Sequence, residues 1–69
     1  MKHREHAVFR LTKDLNSLIL KGSQGVVVYV YSQNEFEVEF VNSDGTNIQY
    51  EGQSTFKVNS ENLCFNTTS

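Results

Sequence analysis

The stretch that decides the fold runs from Gly25 to Val41, GVVVYVYSQNEFEVEFV. It reads as two β-strands joined by a polar turn. Val26 to Tyr31 is an unbroken run of β-branched and aromatic side chains. Such residues lose rotamer freedom in a helix and pack well on a pleated surface. The run is too short for an ordinary buried helix and far too short to span a membrane. Ser32, Gln33 and Asn34 then break it. From Glu35 onward the pattern alternates, which places Phe36, Val38 and Phe40 on one face and Glu35, Glu37 and Glu39 on the other. The phenylalanine face is core. Three carboxylates do not share a buried face, because desolvating them unpaired is too costly.

The next turn is tested by register. If Asp44-Gly45 were a two-residue turn, Phe40 would oppose Gln49 and Glu39 would oppose Tyr50. One-sided burial forbids that mixture. A three-residue loop, Ser43 to Gly45, instead pairs Phe40 with Ile48 and Val38 with Tyr50. It requires Gly45 in the left-handed region.

Working outward, Ala7 to Leu11 is a first strand with Phe9 and Leu11 inward. Thr12 to Ser23 is a long first loop whose Leu15, Leu18, Ile19 and Leu20 are expected to fold back and plug one end of the core. Asn16 suits the cap of a short helical turn within it. Gly22 and Gly25 belong to a turn leading into the second strand. Asn47 to Glu51 and Ser54 to Val58 read as further strands, the latter with Phe56 and Val58 inward. Ser60 to Asn62 suggests one helical turn and Leu63 to Phe65 a closing strand. Met1 to Glu5 is expected to be a loose arm, and Asn66 to Ser69 to fray. Five to six short antiparallel strands with tight turns make an all-β protein, and at 69 residues a single small barrel is expected, with a core over about 7–65.

Six basic and eight acidic residues leave a net charge of −2, which is not the electrostatic footprint of a nucleic-acid binder. The basic residues nevertheless gather early, so Arg10, Lys13 and Lys21 are the candidates for an RNA-binding face around the first loop. Cys64 is the single cysteine, so no intramolecular disulfide forms. The first residues are charged and lack the apolar stretch of a leader, and the cytoplasm is the expected compartment.

Several arrangements of residues could carry chemistry. His3, His6 and Cys64 together offer three zinc ligands, but a structural site wants four, and no fourth is evident. Cys64 and His6 could act as nucleophile and base, yet Cys64 lies between Leu63 and Phe65 with no basic neighbour in sequence. No cofactor is expected, and no enzymatic activity. Glu35, Glu37 and Glu39 form either a solvated outer face or an acidic patch that steers a basic partner. If Val26, Val28 and Val30 point inward, then Val27, Tyr29 and Tyr31 point outward. Exposed tyrosines beside an acidic strand are the strongest binding candidates, because tyrosine is enriched at binding hot spots. Alternatively, the first loop covers them as a minor core.

Val8-Phe9-Arg10-Leu11-Thr12-Lys13-Asp14-Leu15, then Leu20-Lys21-Gly22 with Gly25 to Tyr31, then Phe36 to Val41 with Asp44-Gly45, resemble a small bacterial family. That family is common in cyanobacteria and is catalogued as a domain of unknown function. The resemblance covers Val8 to Leu63. Its strongest piece is Lys21-Gly22-x-x-Gly25-Val26-Val27, followed by the acidic alternating strand. Asn47 to Tyr50 departs from the aliphatic segment of the family, and Glu51 to Ser54 is longer. The resemblance implies an SH3-like barrel, similar to the KOW modules of ribosomal and transcription proteins. It carries no established activity. Some relatives lie beside toxin-like genes, which implies an antitoxin or immunity role.

Together these readings favour a small binding module that makes protein–protein contacts through Tyr29, Tyr31, Glu35, Glu37 and Glu39, with a basic partner. A KOW-like RNA-associated protein and a homo-oligomeric subunit are the rival readings. No membrane partner is expected.

Overall fold

Apolar residues at every second position fix the strands, and the turn residues fix where they end. A computed structural model describes residues 6–65. It contains five strands: β1 Val8–Leu11, β2 Gln24–Val30, β3 Glu35–Val41, β4 Phe56–Asn59 and β5 Leu63–Phe65. A single 3-10 turn, Ser60–Asn62, separates β4 from β5. All neighbours pair antiparallel in the order β4-β3-β2-β1-β5. The expectations placed on Met1 to Glu5 and Asn66 to Ser69 lie outside the described residues.

The sheet curls so that its ends approach each other. Phe36 of β3 and Phe65 of β5 meet edge to face, with centroids 5.9 Å apart, although β2 and β1 lie between their strands. The Thr12 amide donates to the Asn62 carbonyl at 2.8 Å, tying the end of β1 to the 3-10 turn. Asn59 caps that turn by accepting from the Glu61 amide at 2.9 Å. The result is the small barrel-like all-β fold expected from the pattern. Phe9, Phe40 and Phe56 interlock at its centre, with centroid separations of 5.6 and 5.7 Å. The Phe9–Phe40 pair is edge to face, a geometry that adds to the burial of its area.

The Asn42–Thr46 hairpin forms as its register demanded. Gly45 has φ +90°, the Asn42 amide donates to the Thr46 carbonyl at 2.8 Å, and the Ile48 amide donates to Phe40 at 2.9 Å. The pairing then stops. Val38 opposes Phe56, not Tyr50, so the expected strand over Asn47 to Glu51 does not exist. One bridge, Val41 to Asn47, is all that remains of it. The chain loops out instead and closes on itself at Tyr50-Glu51-Gly52-Gln53, where Tyr50 and Gln53 exchange both backbone hydrogen bonds. Glu51 and Gly52 both have positive φ, the signature of a tight two-residue turn. Ile48 and Tyr50 still pack against the core from this excursion. The strand expected at Ser54 to Val58 therefore begins only at Phe56, with Phe56 and Val58 inward.

Two further expectations fail on packing. Val27 is fully buried, not exposed. A β-bulge lies between Val27 and Tyr29, and the extra residue resets the alternation. Before it, Gly25 and Val27 face the core while Val26 faces outward and is half-buried. After it, Tyr29 is exposed and Val30 packs against the core. Of the four apolar residues in the first loop, only Ile19 plugs the core; Leu15, Leu18 and Leu20 remain exposed. No helical turn forms at Asn16, whose side chain instead accepts from the Leu18 and Ile19 amides at 2.9 and 2.8 Å. That local bond turns Ile19 inward and leaves its neighbours in water. Gly25 belongs to β2 and not to a turn. A Cβ there would collide with the Glu39 carbonyl oxygen and lie 2.7 Å from Phe9 Cζ.

Candidate functional site

The outer face of β2, β3 and β4 carries the candidate residues, and the strand register lines them up. Tyr29 opposes Glu37, which opposes Lys57. In the next row the Tyr31 amide donates to the Glu35 carbonyl at 2.9 Å, and Glu35 opposes Asn59. Val26 opposes Glu39 in the row on the other side. The five residues singled out in the sequence are thus neighbours on one surface.

Tyr29 and Tyr31 are 53% and 50% exposed, so the first loop does not cover them. Their rings meet edge to face, with centroids 5.0 Å apart and planes at 72°. Tyr31 is held from two sides. Its hydroxyl donates to Glu37 Oε1 at 2.8 Å, and the Lys57 ammonium lies 5.1 Å from its ring centroid. Anionic neighbours and the hydrogen bond oppose ionisation of the phenol. The bond to Glu37 contributes most, followed by partial desolvation and the charges of Glu37, Tyr29 and Glu35, and the Tyr31 pKa is raised above the usual tyrosine value.

The three glutamates are not equivalent, contrary to the expectation of a uniformly solvated row. Glu37 is half-buried, and its second carboxylate oxygen accepts from the Thr55 hydroxyl at 2.6 Å. Glu35 is exposed and pairs loosely with Lys57 at 3.8 Å. Glu39 is half-buried and makes no ion pair among the described residues. Thr55 and Lys57 are site residues that sequence reading missed. Only the β3–β4 register brings them to Glu37, and that register depends on the length of the excursion between the strands.

The rival basic residues surround the first loop but do not line one groove together. Arg10 lies on the outer side of β1, donates to the Gly22 carbonyl at 3.3 Å and borders a groove with Leu18 and Ile48. Lys13 borders a different groove, shared with Leu15 and Lys57. The Lys21 amide donates to Asp14 Oδ1 at 2.8 Å within the first loop. His3 lies outside the described residues, and Cys64 is exposed on β5. Among the described residues no three His, Cys, Asp or Glu side chains group closely enough to hold a metal ion. No helix among them is long and apolar enough to cross a membrane.

Comparison with known families gives a match. The model of a domain of unknown function, DUF4926, matches residues 5–57, more than half of the chain. The chain belongs to this family. No curated protein and no solved structure matches it. The DUF4926 segment includes β1 to β3, the first loop, both tyrosines and all three glutamates, and it extends to Lys57.

Proposed function

We propose that this DUF4926 chain is a non-enzymatic binding module on an SH3-like barrel, and that it docks a basic protein on the Tyr29–Tyr31 face. One observation carries the reading. Two half-exposed tyrosine rings stand in contact beside three carboxylates, on a sheet whose other large aromatics are mostly buried. Tyrosine offers large contact area at low entropic cost, and the bond from Tyr31 to Glu37 lowers that cost further. The carboxylates supply complementarity to a basic surface and speed its approach. A toxin-like protein held inactive by this chain in the cytoplasm is a partner of that chemistry.

The test is copurification of the tagged chain from its native host, comparing wild type with Tyr29→Ala plus Tyr31→Ala. One stoichiometric basic protein, retained by wild type and lost by a variant that still folds, supports the reading. Recovery of nucleic acid, with retention sensitive to Arg10, Lys13 and Lys21, overturns it in favour of RNA binding. A concentration-dependent change in size that the tyrosine variant abolishes, without a second protein, overturns it in favour of self-association.

A further inference from the structure

Lys57 lies where a cation from outside would lie. Its ammonium is 5.1 Å from the Tyr31 centroid and 3.8 Å from Glu35 Oε1. The ion pair is long, and both of its partners have half or more of their side chains in water. Exposed pairs of this kind contribute little and exchange freely with solvent. The face thus attracts a positive charge and holds its own only weakly.

We infer that the partner enters this face with an arginine side chain, and that Lys57 is the chain's internal competitor for that place. The inference rests on the binding reading above and specifies its chemistry. Among the described residues, three carboxylates on this face meet one ammonium, so the surface stays locally anionic with Lys57 in place. Glu37 has both oxygens engaged by hydroxyls and fixes Tyr31, leaving Glu35 and Glu39 to meet an incoming charge. The tyrosine planes stand at 72°, so while Lys57 lies over Tyr31, half of Tyr29 remains in water. A guanidinium is planar and weakly hydrated. It stacks on a ring and donates in its own plane to a carboxylate at the same time, which a compact, strongly hydrated ammonium does less well. An incoming arginine therefore makes close versions of two contacts that Lys57 makes at arm's length.

The test uses the full chain, 15N-labelled, titrated with a short glycine-flanked arginine peptide and with its citrulline counterpart, which keeps the shape and lacks the charge. The arginine peptide is expected to shift the amides of Tyr29, Tyr31, Glu35 and Glu39, and citrulline to leave them unmoved. Lys57→Thr, which suits a strand and clears the ring, is expected to tighten arginine binding about three- to tenfold. Lys57→Arg, which seats a better competitor, is expected to weaken it. Both variants are first checked for a wild-type amide spectrum. Equal binding of citrulline, no shift at millimolar arginine peptide, or unchanged affinity in Lys57→Thr overturns the inference. If a protein partner is still lost on mutating the tyrosines, only the arginine assignment has failed; if the partner ignores the tyrosines, the binding reading itself has failed.

Discussion

The Tyr31 hydroxyl donates to Glu37 Oε1 at 2.8 Å across the β2–β3 pair. This bond and the surrounding negative charge hold the proton on Tyr31 beyond the usual tyrosine range. Tyr31 is therefore expected to titrate above the ordinary tyrosine value, and Glu37→Gln is expected to bring it down. A pH series of tyrosine ring NMR signals checks this. A group with a raised folded value stabilises the fold below the unfolded value of about 10, and that contribution disappears as pH rises through the folded value. Alkaline unfolding of Glu37→Gln should accordingly lack this component.

Gly25→Ala should be among the most damaging single changes. The added methyl meets the Glu39 backbone, which cannot step aside without breaking the β2–β3 ladder, and Phe9 Cζ at 2.7 Å. The expected cost is about 3 kcal/mol, the upper end of overpacking penalties. Urea unfolding followed by circular dichroism measures it. A variant within experimental error of wild type would contradict the close strand approach described at this position.

Glu51 offers the opposite case. It sits at φ +50°, in a turn whose two central residues both need the left-handed region. Asn tolerates that region better than Glu, and Val far worse. Glu51→Asn is expected to stabilise the protein by about 0.5–1 kcal/mol, and Glu51→Val to destabilise it by about 1 kcal/mol or more. Thermal melts of the pair should move in opposite directions.

Asp44 stabilises the Asn42–Thr46 hairpin most when ionised. Its carboxylate accepts from the Thr46 hydroxyl at 2.7 Å and from the Thr46 amide at 3.0 Å, and these bonds lower its pKa below the ordinary aspartate value. A depressed folded value adds stability above the unfolded value of about 4, lost as pH falls through the folded one. Asp44→Ala should be less stable than wild type near neutrality, and the gap should close in acid. Equilibrium unfolding at several pH values reads the gap directly.

How much of this was legible depended on the contrast between neighbouring residues. In β3, glutamate alternates with apolar residues, so orientation could be read from the chain alone. In β2, nearly every residue is apolar, and nothing in the letters marks the bulge that turns Val27 inward. Tyr29 and Tyr31 are exposed, but the sequence left cover by the first loop equally open, and the alternation that points them outward does not run through the whole strand. Ile48 and Tyr50 alternate like a strand and pack like one, yet the positive φ values at Glu51 and Gly52 close the chain before a ladder can extend. The site was legible where it is local, at the tyrosines and glutamates. It was hidden where it depends on tertiary register: Thr55 lies 18 positions from Glu37, across a loop whose path could not be inferred.

The bulge before Tyr29 also bears on how such a surface tolerates change. The bulge takes Val28 out of the pairing, so Val27, Tyr29 and Val30 still meet Val38, Glu37 and Phe36 on matching faces. Deleting Val28 would leave a regular ladder, with Tyr29 and Tyr31 still outward and Val30 still inward. The aromatic surface would thus survive an in-frame loss of three nucleotides at this position, because the bulge already keeps Val28 outside the ladder.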